Sequence, residues 1–553
     1  MIAHQLQHIT DLAEILFSQG ISDVVISPGS RNAPLTIGFS NHPTIKTYSV
    51  VDERCAAFFA LGMAQQLRKP VAIVCTSGSA LLNYYPAISE AFYSNIPLLV
   101  ISADRPKNMI DIGDGQTIRQ ENVFENHIIE SLNLDENYND KNAVISKIGA
   151  VIQKLKSKNG PVHINVPFDE PLYETTNNLL SFDKITEVIK KQTINDILLS
   201  KYANIWNSST KKMILVGEHF TNKELQQQLE EFTKDPSVLI LIENTANVAH
   251  PKFINSIDKL IFPLEDDELE NFQPEILVSL GGLIVSKKIK QHLRRFQPKY
   301  HWHIDEKRAF DTFLCLKHHF EFSPTLFFKL FLPKITIVES NYQQFWLLKK
   351  EGRLNKHKEF IENCDFSDLS VFNTLLKSIP NKSQLQLSNS SVIRYSQLFD
   401  IHRTLKVFCN RGTSGIDGST STAIGAASVV KENTVLITGD ISFFYDSNAL
   451  WNNYIPSNFR IIVINNGGGG IFRFIPGPQK SSALDYFETP HNLTAEYLSK
   501  MYNFEYYLAT DDKSLKDSLL NFYEKSSKPR LLEIFTPREE NDKILKAYFN
   551  NLK

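Results

Sequence analysis

Two apolar runs near the C-terminus of this chain end in residues suited to a hard cation. TVLITGDISFFYD covers 434–446 and RIIVINNGGGGIF covers 460–472. Each opens as a β-branched run that predicts a buried strand. Each stops at small, oxygen-bearing groups: Gly439-Asp440 in one, Asn465-Asn466 and four glycines in the other. Asn466 lies 26 positions after Asp440, room for one strand–helix–strand crossover. Parallel neighbours would bring both tips to the sheet edge at which open α/β folds bind ligands. A carboxylate, an amide oxygen and a bare glycine carbonyl suit Mg²⁺, which takes few protein oxygens and completes its octahedron with phosphate and water. The chemistry implied is a metal-bridged diphosphate. Turn-forming residues closing two strands would explain each residue singly, but not strand context, spacing and glycines together. Gly113-Asp114-Gly115 is a look-alike; no buried strand leads into it and no Asn pair follows, so it predicts a loop.

A second group of residues suits acid chemistry and anion binding. Glu53, in SVVDERCAAFFALG, stands where a strand gives way to an apolar helix. That position predicts partial desolvation, which favours a protonated carboxyl; the competing role is a helix-start carboxylate serving backbone N–H groups. Arg31, Arg105, Arg394 and Arg411 lie in or beside loops that follow strands or Gly/Ser-rich turns. Guanidinium forks bind carboxylates bidentately, and four of them at strand tips imply a polyanionic substrate. Ser30, Gln116 and Ser390 are polar residues of the same loops, each by itself an ordinary turn residue. Lys287 and Lys288 follow the strand-like LVSLGGLIV and read as a solvated helix start within reach of a ligand. His318-His319 reads as surface or packing.

The elements that must position these residues form three blocks. Residues 1–180 alternate helix and strand patterns: a helix around 11–19, then DVVISPGSRN, KTYSVVDE, VAIVCTSGS, PLLVISADRP and GPVHINVPFDEP as strands or strand ends. Such alternation predicts a parallel sheet with helices on both faces. A polar stretch near 182–200 predicts a linker. A second block over 195–345 contains KMILVGEHF, SVLILIENT, KLIFPL, EILVSLGGLIV and KYHWHIDE. Residues 334–380 turn charged and helical, a second connector. The third block, 375–553, contains TLKVFCN, TVLITGD, FRIIVINN and PRLLEIF. Thr76-Ser77-Gly78 and Thr438-Gly439-Asp440 both end a strand before a helix and a Pro-led strand, an internal echo. The middle block has Gly281-Gly282 but no GxGxxG and hence no sign of a dinucleotide.

The totals bound the rest. At 553 residues several domains are expected. A hydrophobic content of 42% and a charged content of 22% are those of a globular protein, and a net charge of −2 gives no pull toward nucleic acid or anionic membrane. Five cysteines without CxxC spacing suggest neither zinc nor disulfides and fit a reducing cytoplasm. The N-terminal stretch does not read as a signal peptide and no run approaches membrane-spanning length.

Taken together, these segments resemble the thiamin-diphosphate enzyme superfamily, in which GDG is followed some two dozen residues later by NN; here Ile441 replaces the second glycine. More narrowly, ISPGSRNAPLT, VVDERCAAFFALG, TSGSALLNYYPAISEA, SADRP, GDGQTIRQ, NRGTSGIDGSTSTAIGAA, GDISFFYDSNAL and NNGGGGIF resemble the 2-succinyl-5-enolpyruvyl-6-hydroxy-3-cyclohexene-1-carboxylate synthases of menaquinone biosynthesis. The resemblance implies three doubly wound α/β domains: a pyrimidine-binding domain, a Rossmann-like middle domain without flavin, and a diphosphate-binding domain. It implies thiamin diphosphate with Mg²⁺ or Mn²⁺ held by Asp440, Asn466 and the Gly468 carbonyl. Gly439, Ser390, Arg411, Ser414 and Ser442 would lie near the cofactor, Ile416 would wedge it into a bent form, and Glu53 would face its aminopyrimidine. Ser30, Arg31, Arg105, Gln116, Lys287, Arg394, Arg411, Ile471 and Phe472 would line the substrate side, for 2-oxoglutarate and isochorismate. A homodimer or homotetramer is implied, with Glu53 and Asp440 of one site on different subunits. The broader alternatives are another thiamin-diphosphate-dependent 2-oxo acid carboligase or decarboxylase, or a silent cofactor-binding subunit.

Overall fold

A computed structural model describes residues 3–4, 7–135, 140–176, 196–475 and 477–553. Most of the stretch expected as a linker near 182–200 lies outside the described residues. Three parallel sheets carry the chain. The first contains β1 (Asp23–Ile26), β2 (Lys46–Ser49), β3 (Val71–Cys75), β4 (Leu98–Asp104), β5 (Glu130–Asn133) and β6 (Val162–Pro167), in the order β2-β1-β3-β4-β6-β5. The middle sheet contains β7 (Lys212–Val216), β8 (Val238–Ile242), β9 (Ile276–Leu280), β10 (Tyr300–Ile304) and β11 (His318–Phe320), in the order β8-β7-β9-β10-β11. The third contains β12 (Gln384–Leu387), β13 (Lys406–Cys409), β14 (Thr434–Gly439), β15 (Phe459–Asn465), β16 (Glu505–Ala509) and β17 (Arg530–Phe535), in the order β13-β12-β14-β15-β17-β16. The first and third sheets thus share one strand order, the topology that the echo between Thr76-Ser77-Gly78 and Thr438-Gly439-Asp440 suggested.

The central strands β3 and β4 are buried at every position, as expected of strands covered on both faces. β5 was not anticipated: ESLN at a sheet edge is polar and half-buried, so it carries no apolar run. KLIFPL, grouped with the strand-like runs, is a correction. Its first residues belong to a short helix, Ile257–Ile261, because so short an apolar run has no period that separates strand from helix. The expected connector at 334–380 is also more than a connector. It holds a 21-residue helix, Tyr342–Glu362, and a second one, Asp368–Ser378, whose Leu369, Phe372 and Leu375 pack into the core of the third sheet. His318 and His319 sit on β11, the His318 ring tilted 4.8 Å from that of Tyr202 and His319 bonded to the Asp305 carbonyl.

Two helices join the first and third domains. α1 (Glu53–Leu67) follows β2, and α2 (Tyr85–Ser94) follows β3. Further along come α3 (Lys287–Arg295), α4 (Asp368–Ser378), α5 (Ser419–Val429) and α6 (Asp440–Tyr445). α1 packs against α5 with backbones in near contact: a Cβ on Gly62 would stand 2.0 Å from the Thr422 carbonyl oxygen, and one on Gly425 1.9 Å from that of Phe59. Glycine is therefore required at both. One continuous apolar cluster runs through this seam, from Ile73 and Val100 to Leu436 and Val463.

Candidate active site

β14 and β15 are parallel neighbours, with Gly439 opposite Ile464. Asp440 and Asn466 therefore leave the same edge of the third sheet. Asp440 is 3% exposed. Its Oδ2 accepts from the Gly468 N–H at 2.9 Å and lies 3.3 Å from His491 Nε2; its Oδ1 accepts from the Ile441 N–H. Gly468 has φ +151°, and a Cβ there would meet the Glu488 carbonyl oxygen at 2.6 Å, so the four-glycine run folds back where a side chain has no room. Asn466 Nδ2 donates to Asp368 Oδ2 at 3.0 Å, while its Oδ1 is buried without a hydrogen-bond partner among the described residues. A buried amide oxygen left unsatisfied is costly. With an adjacent carboxylate and a glycine turn, it fits a hard, oxygen-seeking cation such as Mg²⁺ or Mn²⁺.

The loops after β12 and β13 flank this cluster in sequence with strained backbone. Ser390 has φ +70° and Ser414 φ +59°, a left-handed conformation that serine adopts at a cost and that collects at functional sites. Ser442, on the first turn of α6, donates to the Ile416 carbonyl at 2.6 Å, so the residue expected to bend the cofactor is tied to the strand tip that follows Gly439. Arg394 Nη1 donates to the Ser390 carbonyl, and Arg411, 8% exposed, donates from Nη1 to Asn389 Oδ1 at 2.6 Å, with its Nε buried and unpartnered among the described residues. Burial, and then the neighbouring Arg411, presses the Arg394 guanidinium below its ordinary range. The same two causes lower Lys290, which bonds the Ile284 carbonyl at the start of α3. Lys287 is exposed; Lys290 is the α3 lysine that feels both arginines. Mutually repelling cations of this kind are relieved by an anion. Ile471 and Phe472 are half-buried at the start of a short helix, Ile471–Phe474, with the Phe472 ring 5.4 Å from that of Phe487.

The first-sheet residues form a second group. Glu53 opens α1, half-buried, and accepts from Asn83 Nδ2 at 3.3 Å. Arg31, 5% exposed, donates to the Phe168 carbonyl and lies 3.4 Å from Glu170, with Nε unpartnered among the described residues; Ser30 beside it is exposed. Arg105 is held by Asp114 and the Gly115 carbonyl, which gives the look-alike loop a positional role. Gln116 is exposed with φ +56°, its backbone against Gly78. That turn is anchored by Gln120, fully buried, which accepts from the Gly78 N–H and donates to Asn165 Oδ1. Among the described residues, no hydrogen bond or ion pair joins Arg31, Glu53, Arg105 or Gln116 to Asp440, Asn466 or Gly468. The two domains are joined beside these groups by Asn448 donating to Asp52 and Arg54 donating to the Tyr445 carbonyl, and, at the Arg411 loop, by Glu90 on α2. It is 1% exposed, accepts from the N–H groups of Gly412 and Thr413 and from the Thr413 hydroxyl, and so pins the loop that carries Arg411 and Ser414.

Asp368, Glu90, Lys290 and His491 were not singled out from the sequence. Glu90 lies within the TSGSALLNYYPAISEA segment and Lys290 two residues past Lys288, but neither is near in sequence to the loop it faces, and no spacing marks Asp368 or His491. A cavity of about 320 Å³ opens instead at the tips of the middle sheet, lined by Glu218, His219, Ser279, His303 and Arg308 and reaching Arg411. A smaller one lies beside Arg394, Ile471 and Asp368.

Residues 9–129 match the family model described as the thiamine pyrophosphate enzyme N-terminal TPP binding domain. The fold is that of benzoylformate decarboxylase from Polynucleobacter necessarius, with a TM-score of 0.71 over 96% of this chain and 98% of that one at 15% identity. Fold and matched domain together define a thiamine pyrophosphate enzyme of three α/β domains. Two relatives span the full length of both chains: the 2-succinyl-5-enolpyruvyl-6-hydroxy-3-cyclohexene-1-carboxylate synthases of Flavobacterium psychrophilum, 55% identical, and Flavobacterium johnsoniae, 54% identical. That of Porphyromonas gingivalis is 37% identical over 98% of this chain and 96% of its own. The chain belongs to the 2-succinyl-5-enolpyruvyl-6-hydroxy-3-cyclohexene-1-carboxylate synthase family. No described helix is long and apolar enough to cross a membrane.

Proposed function

We propose that the chain joins the four-carbon remainder of 2-oxoglutarate, after loss of CO₂, to isochorismate, forming 2-succinyl-5-enolpyruvyl-6-hydroxy-3-cyclohexene-1-carboxylate for menaquinone biosynthesis in the cytoplasm. The observation that carries the site assignment is the unpartnered, buried Asn466 Oδ1 at the strand tip beside Asp440. Asp440, Asn466 and the Gly468 carbonyl would hold Mg²⁺ or Mn²⁺ on the cofactor diphosphate, with Ser390, Ser414 and Ser442 around it. Thiamin diphosphate supplies the nucleophilic carbon and takes up the electron pair left when CO₂ departs. Glu53 would hold a proton against the aminopyrimidine ring and so select its reactive tautomer. Each substrate brings two carboxylates, and Arg31, Arg105, Arg394 and Arg411 offer forks of the right charge and geometry. Gln116 and Ser30 would add neutral hydrogen bonds.

Glu53 bonds within its own domain, and large apolar side chains stand exposed near both halves of the site: Val51 and Leu82 by Glu53, Tyr445 and Trp451 after Asp440. Such exposure suits an interface. The working site is therefore assigned to two copies of the chain, one supplying Glu53 and its partner the metal cluster. Purified protein with thiamin diphosphate and Mg²⁺ is expected to release CO₂ from 2-oxoglutarate and to consume isochorismate with it. Turnover of pyruvate alone, without use of either substrate, would replace this reading with that of a simple decarboxylase.

A further inference from the structure

The metal-site reading needs Asn466 to present oxygen rather than nitrogen. A carboxamide offers both, and the two orientations occupy nearly the same space. Something must therefore choose between them, and β15 ends before the side chain in question. The choice is made from α4. Asp368 is 2% exposed. One carboxylate oxygen accepts from Asn466 Nδ2 at 3.0 Å, and the other accepts from the Thr536 hydroxyl at 2.6 Å, just past β17. Its backbone N–H donates to Asn541 Oδ1. Asp368 is thereby tied through its backbone and, by the Thr536 hydroxyl, through its carboxylate, whose other oxygen offers Asn466 only an acceptor. A flipped amide would set two oxygens against each other in a buried site and lose the hydrogen bond to Asp368.

We infer that Asp368 is a positioning residue of the metal site, locking the Asn466 amide with its oxygen toward the cation. The inference rests on the proposed metal role of Asn466. Outer partners of this type usually change metal affinity about 10–100-fold when removed.

The test uses the full-length protein with thiamin diphosphate and reads the dissociation constant of Mn²⁺ by electron paramagnetic resonance. Asp368→Ala is expected to weaken Mn²⁺ about 10–100-fold. Asp368→Leu, closer in volume, serves if the alanine variant does not fold. Asp368→Asn is expected to stay within about threefold, because the Thr536 hydroxyl can turn to accept and leave the new amide oxygen for Asn466. In an Asn466→Asp background both outer oxygens are acceptors and no orientation needs enforcing; adding Asp368→Ala there should leave Mn²⁺ binding unchanged or tighter. Wild-type affinity in Asp368→Ala or Asp368→Leu would overturn the inference. So would equal losses in the Asn and Ala variants, which would mean that charge alone matters. So would the same loss in the Asn466→Asp background, which would mean a purely structural role. Failure of the wild-type protein to bind Mn²⁺ would instead sink the metal reading itself.

Discussion

At the scale of single residues, the proposed site separates groups assigned to touch ligands from groups that would hold them in place. Glu53→Gln keeps the shape of the side chain but removes its acid. Turnover of 2-oxoglutarate is expected to fall by about 10²–10⁴-fold or more, with thiamin diphosphate still quenching the protein fluorescence; an active variant would take Glu53 out of the chemistry. Glu488 is a contrasting case. It is fully buried beneath the four-glycine run and forked by Arg473 and Arg538. Burial alone would raise its carboxyl, but the two guanidinium forks outweigh burial and hold it at about 2. A folded value below the ordinary 4.5 means that the unfolded chain binds the proton more readily in this window. The contribution is therefore complete above about pH 4.5 and is lost as pH falls toward 2. Glu488→Gln is expected to cost about 1–3 kcal/mol at neutral pH. It should also flatten the loss of urea resistance as pH falls below about 4.5 relative to wild type; parallel losses would show that the clamp is not what titrates.

At the scale of elements, α2 and the loop after β13 act as one unit. Glu90 takes two successive N–H groups of that loop, much as a helix-capping carboxylate does, yet the residues are 322 and 323 positions away in the chain. Glu90→Gln would turn one acceptor into a donor facing an N–H. The KM for 2-oxoglutarate is expected to rise about tenfold, equivalent to the ~1.4 kcal/mol of a lost hydrogen bond, with Mn²⁺ affinity unchanged. A KM like that of wild type would mean that Arg411 needs no such support. The elements themselves were largely readable from the sequence, because buried parallel strands such as VAIVC and RIIVIN announce themselves by composition. Edge strand β5 and the helix at KLIFPL were not, since a polar edge and so short an apolar run carry no period.

At the scale of the whole molecule, the seam between α1 and α5 decides how the two cofactor-type domains meet. Gly425→Ala would drive a methyl group into the Phe59 carbonyl. It is expected to cost about 1–3 kcal/mol through forced separation of the helices, seen as a lower thermal midpoint and a shared loss of activity. An unchanged midpoint would show that the seam is plastic. If the site is shared between two copies, mixing inactive Glu53→Gln and Asp440→Ala chains and allowing exchange should restore activity to about a quarter of the wild-type level. That follows from the statistics of a two-fold dimer in which only mixed pairs regain one intact site. No recovery after verified exchange would put Glu53 and Asp440 of one site on one chain.

Much of the candidate site was legible because the proposed ligands sit at strand tips, where residue type and crossover spacing are tied to one another. Asp440 and Asn466 are 26 residues apart because one helix must pass between two parallel strands, and a linear pattern records that. What surrounds them leaves no such record. Asp368 reaches Asn466 from 98 positions away, Glu90 reaches the Arg411 loop across two domains, and His491 faces Asp440 from a turn without a motif. Their roles depend on long-range packing, which sets contacts without any constraint on sequence separation. The amino-acid order by itself determined the alternating α/β blocks, the oxygen-bearing strand tips proposed to hold a metal, and the family resemblance. Only the tertiary structure decided which buried carboxylates and amides hold those tips in working orientation, because a hydrogen bond depends on where atoms lie in space and not on how many residues separate them.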